Sequence, residues 1–222
     1  MPHQYPHFFA RGQKMTFAEI HALCVHSYSN LNARQAVRHG GGSWVVESEW
    51  EYGHFAAYRI RKPGGWTALV YRGTDDAKDW VIDNASNALG SGHPPQYRLG
   101  AKLAQLVGRD VILVGHSLGG GIATYASAFN GNPAVTIFPA PVIPSSLPQR
   151  GAKADVVNYV CHGEVLTELA SGGRKGMVRN VVQDALDLGF SGRVHRRLGP
   201  DWHIRSRGGS ATDKHLLTNV VL

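Results

Sequence analysis

The residues best placed to do chemistry lie in Gly115-His116-Ser117-Leu118-Gly119, a serine with a glycine two positions to either side. A hydroxyl is a weak nucleophile until a base takes its proton and a third group holds that base. A serine in this role therefore calls for a histidine and a carboxylate elsewhere in the chain. The spacing alone is weak evidence, and its setting strengthens it. Val111-Ile112-Leu113-Val114 is apolar on both faces, as a buried parallel strand is, and Gly119 to Phe129 reads as a helix that follows at once. In such an elbow the turn is too tight for side chains at 115 and 119, and Ser117 is lifted clear of the sheet. The amino terminus of the helix offers free N–H groups to a developing oxyanion. The competing reading is a Gly-rich turn that binds a phosphate or nothing.

In an α/β-hydrolase the triad members follow in the order nucleophile, acid, histidine, which restricts the twelve histidines to those beyond the acid. Val156-Val157-Asn158-Tyr159-Val160 reads as a strand, and Cys161-His162-Gly163-Glu164 follows at its carboxyl end, where α/β sheets place their sites. Glu164 is thus the first candidate acid, with Glu168 and Asp184 as alternatives. Asp155 is at the wrong end of the strand. His195, His203 and His215 lie downstream. His116, inside the elbow, is expected to pack or hydrogen-bond behind the nucleophile rather than act as the base.

The elements that must position these groups are partly legible. Residues 1–14 show no apolar periodicity and read as a loose leader. Thr16-Phe17-Ala18-Glu19 has capping-box spacing and predicts a helix over 16–28. Trp44-Val45-Val46, Phe55 to Ile60 and Trp66 to Tyr71 have strand composition, and Pro63-Gly64-Gly65 joins the last two as a hairpin. Leu99, Leu103 and Leu106 mark a helix. Ala134 to Phe138 is a further buried strand. Together these predict one domain over 1–222, with a mostly parallel central sheet, an antiparallel start and helices on both faces.

Composition excludes several classes. Neither a membrane-length apolar run nor a Sec-type signal peptide is readable. Cys24 and Cys161 form neither a disulfide framework nor a zinc signature, and no RNP-like segment, helix-turn-helix or zinc finger points to nucleic acid. The expected cofactor and metal complement is none. The chain carries a formal charge of +7. Most of it falls in 171–210, where eight basic residues (Arg174, Lys175, Arg179, Arg193, Arg196, Arg197, Arg205 and Arg207) face three acidic ones. This segment reads either as a solvated insertion or as a contact to anionic membrane.

Gly115-His116-Ser117-Leu118-Gly119-Gly120 resembles the nucleophile elbow of class 3 lipases. Val70-Tyr71-Arg72-Gly73-Thr74, Asp79-Trp80-Val81-Ile82-Asp83 and Ile137-Phe138-Pro139-Ala140-Pro141 resemble further segments of that family in order and spacing. The resemblance implies an α/β-hydrolase fold and a lipase, esterase or phospholipase A activity on lipid esters. It implies Ser117 as nucleophile, Glu164 in place of the usual Asp, and His215 near the end of the chain as base, with His203 as runner-up. It also implies Thr74 and Leu118 as oxyanion donors. The family's His-x-Gly-Phe element is absent apart from an isolated His93, so a short loop over 84–97 is the candidate lid. Small signal-less proteins similar to this family occur among antibacterial lipase effectors. The expected location is accordingly cytoplasmic as synthesised, with export by a signal-peptide-independent route. Alternatives are a thioesterase or other acyl hydrolase, and a non-catalytic membrane-binding module of hydrolase type. Oligomeric state is not readable.

Overall fold

The computed structural model describes residues 5–39, 42–74, 95–142, 147–148, 154–170 and 197–222. Residues 8–14, part of the expected loose leader, are ordered into secondary structure. Strands β1 (Phe8–Ala10) and β2 (Gln13–Met15) form a two-stranded hairpin, and Phe8, Ala10 and Met15 point into the core. Its turn is Arg11-Gly12, both at positive φ (50° and 76°), as a tight two-residue hairpin turn requires. Three-residue strands are too short to show a period, which is why the pattern is silent here. Helix α1 (Phe17–Ser27) follows, with the predicted capping box formed reciprocally between Thr16 and Glu19. Burial raises the Glu19 pKa, but hydrogen bonds from Lys62 and Thr16 outweigh it and leave the carboxyl below its ordinary range.

The main sheet comprises β3 (Ala36–His39), β4 (Gly42–Tyr52), β5 (Phe55–Arg61), β6 (Thr67–Tyr71), β7 (Ile112–His116), β8 (Ala134–Ile137), β9 (Val156–Val160) and β10 (Asp201–His203). The strands neighbour one another in chain order. Pairing is antiparallel from β3 to β6 and parallel from β6 to β10, so the antiparallel start is present and β7 lies inside the parallel half. Lys62 and Trp66 close the predicted hairpin between β5 and β6.

Alternate residues feed two cores. Tyr58, Ile60, Val70, Ile112 and Val114 face one side together with Ile20 and Leu23 of α1. Leu69, Tyr71 and Leu113 face the other, beneath helices α2 (Pro95–Val107) and α3 (Leu118–Asn130). Helices thus cover both faces, which explains why the parallel strands read as unbroken apolar runs.

The leucine triplet marks α2, and a different set of residues makes its buried face. Leu103 is buried, whereas Leu106 is 77% exposed and Leu99 is also exposed. The contact is made by Tyr97, Gly100, Ala101 and Ala104, because α2 packs close against α3. A Cβ on Gly100 would come within 2.2 Å of Ile122. Helix α2 also starts at Pro95, so the candidate lid cannot extend through 97, and the rest of it lies outside the described residues.

The basic segment is not wholly an insertion either. Its described end supplies the edge strand β10, fastened to β9 by Asn158. The Asn158 amide donates to the carbonyls of Leu198 and Pro200 and to Asp201, and its oxygen accepts from Thr136. Arg197 forms a forked ion pair with Asp201 and is largely covered. Residues 171–196, with Asp184, His195 and the basic residues Arg174, Lys175, Arg179, Arg193 and Arg196, lie outside the described residues. So do 79–83. No described helix is long and apolar enough to cross a membrane.

Candidate active site

Ser117 links β7 to α3 at φ 55°, ψ −126°, a conformation rare for any residue with a side chain. Holding it there costs about 1–3 kcal/mol, supplied by the surrounding structure. Its N–H donates to the Ile137 carbonyl at 3.2 Å, while its own carbonyl accepts from Gly121 at 3.1 Å and Ala140 at 2.9 Å. The glycines flanking it are sterically required, as the spacing implied. A Cβ on Gly115 would lie 2.3 Å from the Gly119 backbone, and one on Gly119 would lie 2.2 Å from the Tyr71 carbonyl oxygen. The elbow therefore nests against the end of β6. Thr74, three residues beyond β6, has a buried Oγ1 that makes no hydrogen bond among the described residues. Leu118 opens α3 and is buried.

Glu164 follows β9 and is fully buried. It sits immediately before the short helix α4 (Val165–Ala170) and caps it. Its Oε1 accepts from the Leu166 N–H at 2.9 Å and from His215 Nδ1 at 2.7 Å. Its Oε2 accepts from the Thr167 N–H at 2.8 Å and the Thr167 hydroxyl at 2.7 Å. Four donors meet the carboxylate, which is how a buried charge is tolerated. Glu168 lies on α4, and Asp184 is not among the described residues.

His215 ends the short helix α5 (Ala211–His215), whose Ser210–Asp213 capping box sets its start. The chain leaves β10 and later returns alongside residues 205–207, which follow that strand. Arg207 donates to the Asn219 carbonyl, Val221 to that of Arg205, and Ser206 bridges Val220. The excursion between these ties carries the imidazole back to Glu164. With Nδ1 on a carboxylate, the proton of the neutral ring belongs on Nδ1 and Nε2 is the basic nitrogen. Nε2 is buried and has no partner among the described residues. The runner-up His203 is held elsewhere, exposed and stacked on His162 with ring centroids 4.2 Å apart.

The ring of His215 lies 4.7 Å from that of His116, whose Nε2 is 3.0 Å from the His215 carbonyl oxygen. Phe138, at φ 45°, completes the packing, with its ring centroid 5.9 Å from His215 and 6.2 Å from His116. Sequence reasoning did not single out Phe138, Thr167 or Tyr28, whose hydroxyl bonds His116 Nδ1 at 2.8 Å. Thr167, three residues after Glu164, has the spacing of a capped turn and was the most readable of these.

Fold and site together define a mixed α/β protein with a serine, an imidazole and a carboxylate buried at the carboxyl ends of its parallel strands. A family model described as Phospholipase-like, Tle-like phospholipase domain, matches residues 43–196, and the chain belongs to that family. Membership supports a lipid-hydrolysing phospholipase or esterase activity in general. Thr74, Ser117, Leu118 and Glu164 fall within the matched residues, whereas Tyr28 and His215 lie outside them. Among curated proteins, comparison of the sequence finds no match.

Proposed function

We propose that the protein is a serine phospholipase of the α/β-hydrolase type, cleaving a carboxylic ester of a phospholipid through an acyl-enzyme. The observation that carries this is the buried 2.7 Å contact between Glu164 and His215 Nδ1, which leaves Nε2 without a partner among the described residues, in a protein whose Ser117 is held in a strained turn. Ser117 Oγ attacks the ester carbonyl as His215 Nε2 takes its proton, and Glu164 holds the imidazole and stabilises its charge. The oxyanion is met by the N–H groups of Leu118 and Thr74 and by the unpartnered Thr74 hydroxyl. His215 returns the proton to the leaving alcohol, then activates the water that hydrolyses the acyl-enzyme. The segments similar to class 3 lipases support the same assignment of roles. The formal charge of +7 favours an anionic bilayer as the surface on which the substrate is met.

Two measurements test this. A fluorophosphonate should label the wild type and not Ser117→Ala, and the variant should lose roughly 10⁶-fold in kcat. Hydrolysis should then be compared across p-nitrophenyl esters, triacylglycerols, and phosphatidylcholine and phosphatidylglycerol vesicles. Equal labelling of both proteins, or release of fatty acid from no lipid, would refute the proposal.

A further inference from the structure

His116 is a buried titratable side chain with no part in the acyl-transfer chemistry, yet both of its nitrogens are engaged. Nε2 is 3.0 Å from the His215 carbonyl oxygen. A carbonyl can only accept, so the hydrogen is on Nε2. Nδ1, 2.8 Å from the Tyr28 hydroxyl, is then bare in the neutral ring and must accept from it. Burial holds the His116 pKa well below its ordinary value, and the neighbouring His215 ring acts in the same direction, which keeps the ring neutral.

The setting of the Tyr28 hydroxyl is equally specific. Tyr28 caps the carboxyl end of α1, and its oxygen occupies the space above Gly73. A Cβ there would lie 2.1 Å from that oxygen and 2.9 Å from the His116 carbonyl oxygen. One hydroxyl thus touches the turn that leads to Thr74, the elbow that carries Ser117 and, through one imidazole, the backbone of the base.

We infer that His116 is a positioning residue. Its Nε2–H clamps the His215 carbonyl, and the Tyr28 O–H locks its tautomer, so that His215 is held from the backbone as well as from Glu164. The clamp adds a constraint that the acid cannot supply. A hydrogen bond to Nδ1 leaves the imidazole free to pivot about that contact, whereas a second bond at the backbone carbonyl sets where the ring begins. His21, whose Nε2 is 2.9 Å from the Leu217 carbonyl oxygen, pins the following turn from α1 in the same way. This inference rests on His215 being the base, and the test separates the two.

In the full chain at pH 7, long-range proton–nitrogen spectra of the His116 ring should report hydrogen on Nε2 and an accepting Nδ1. A ring protonated on Nδ1 would overturn the clamp, whatever the enzyme's activity. Tyr28→Phe should reduce kcat on a soluble p-nitrophenyl ester about tenfold, the worth of one buried hydrogen bond, with KM within about twofold. It should also shift the downfield Nδ1–H resonance of His215. His116→Leu should lose more than Tyr28→Phe, and His116→Gln, which keeps a donor near Nε2, should regain most of that loss. Wild-type rates in Tyr28→Phe, a change confined to KM, or Gln no better than Leu would each overturn the positioning role. If His116→Leu fails to fold, Tyr28→Phe and the ring spectra carry the test. If the wild type neither labels nor hydrolyses any ester, the proposed function has failed, and the tautomer and the His215 resonance still decide the clamp.

Discussion

The two nitrogens of His215 face unlike surroundings. On the Nδ1 side every polar atom is satisfied, since Glu164 receives donors from Leu166, from Thr167 twice and from His215. Nε2, by contrast, is buried without a partner among the described residues, as is the Thr74 hydroxyl, and Ser117 is held at a positive φ. Buried polar groups are nearly always paired, so each of these unpaired atoms requires an explanation. Under the proposed mechanism this is the division a pre-organised catalyst needs: the bonds that orient the ring are already made, and those left unmade would meet the charge that develops on the substrate.

The largest effect should come from breaking the closed side. Glu164→Gln removes the charge and turns an amide N–H towards donors that need an acceptor. It should lower kcat about 10⁴-fold by freeing the wrong His215 tautomer. Steady-state kinetics on a p-nitrophenyl ester would show this, and retention of a tenth of the rate would mean that Glu164 does not orient the base. On the open side, Thr74→Val fills the same volume without the hydroxyl. A fall of about 10² to 10³ in kcat at nearly constant KM is expected, and a change in KM alone would remove Thr74 from the oxyanion site. Thr167→Val takes away one of the four donors to Glu164. It should cost about 1–3 kcal/mol in urea unfolding and about tenfold in kcat, against no loss if the carboxylate does not depend on that bond.

The smallest effect is a pH slope. The unfolded chain takes up a proton on His116 near the ordinary value of 6.5, while the folded chain, with that pKa lowered by burial, does not. Stability is therefore complete above about pH 6.5 and falls as the pH drops towards the folded pKa. The contribution is about 1.4 kcal/mol per pH unit. Denaturation of the wild type and His116→Gln at pH 7, 6 and 5 should give a shallower fall for the variant. Parallel slopes would show that the buried ring accepts a proton after all.

Legibility in the sequence followed the range of the interactions. The elbow, the capping box at Thr16 and the hairpin at Pro63 to Gly65 depend on residues a few positions apart, and each is present in the fold. The hairpin of β1 and β2 was missed because three-residue strands show no period. Strand β10 was missed because its hold on β9 depends on Asn158, 43 positions from Asp201. The buried face of α2 was not legible, because the close approach of α3 favours Gly100 and alanines over the leucines that dominate the pattern.

By itself the sequence determined the strained turn at Ser117, since the glycines and the apolar strand that make it act within a few residues. It also limited the acid and the base to a handful of positions by their order along the chain. Only the tertiary structure brings one of those carboxylates and one of those histidines together. Glu164 meets His215 across 51 positions, and His116 meets the His215 backbone across 99. Such contacts exist only once the chain has folded back along the residues that follow β10. The physical reason is burial: a carboxylate out of water needs every donor it can reach, and α5 is where the fold brings the imidazole that supplies the last one.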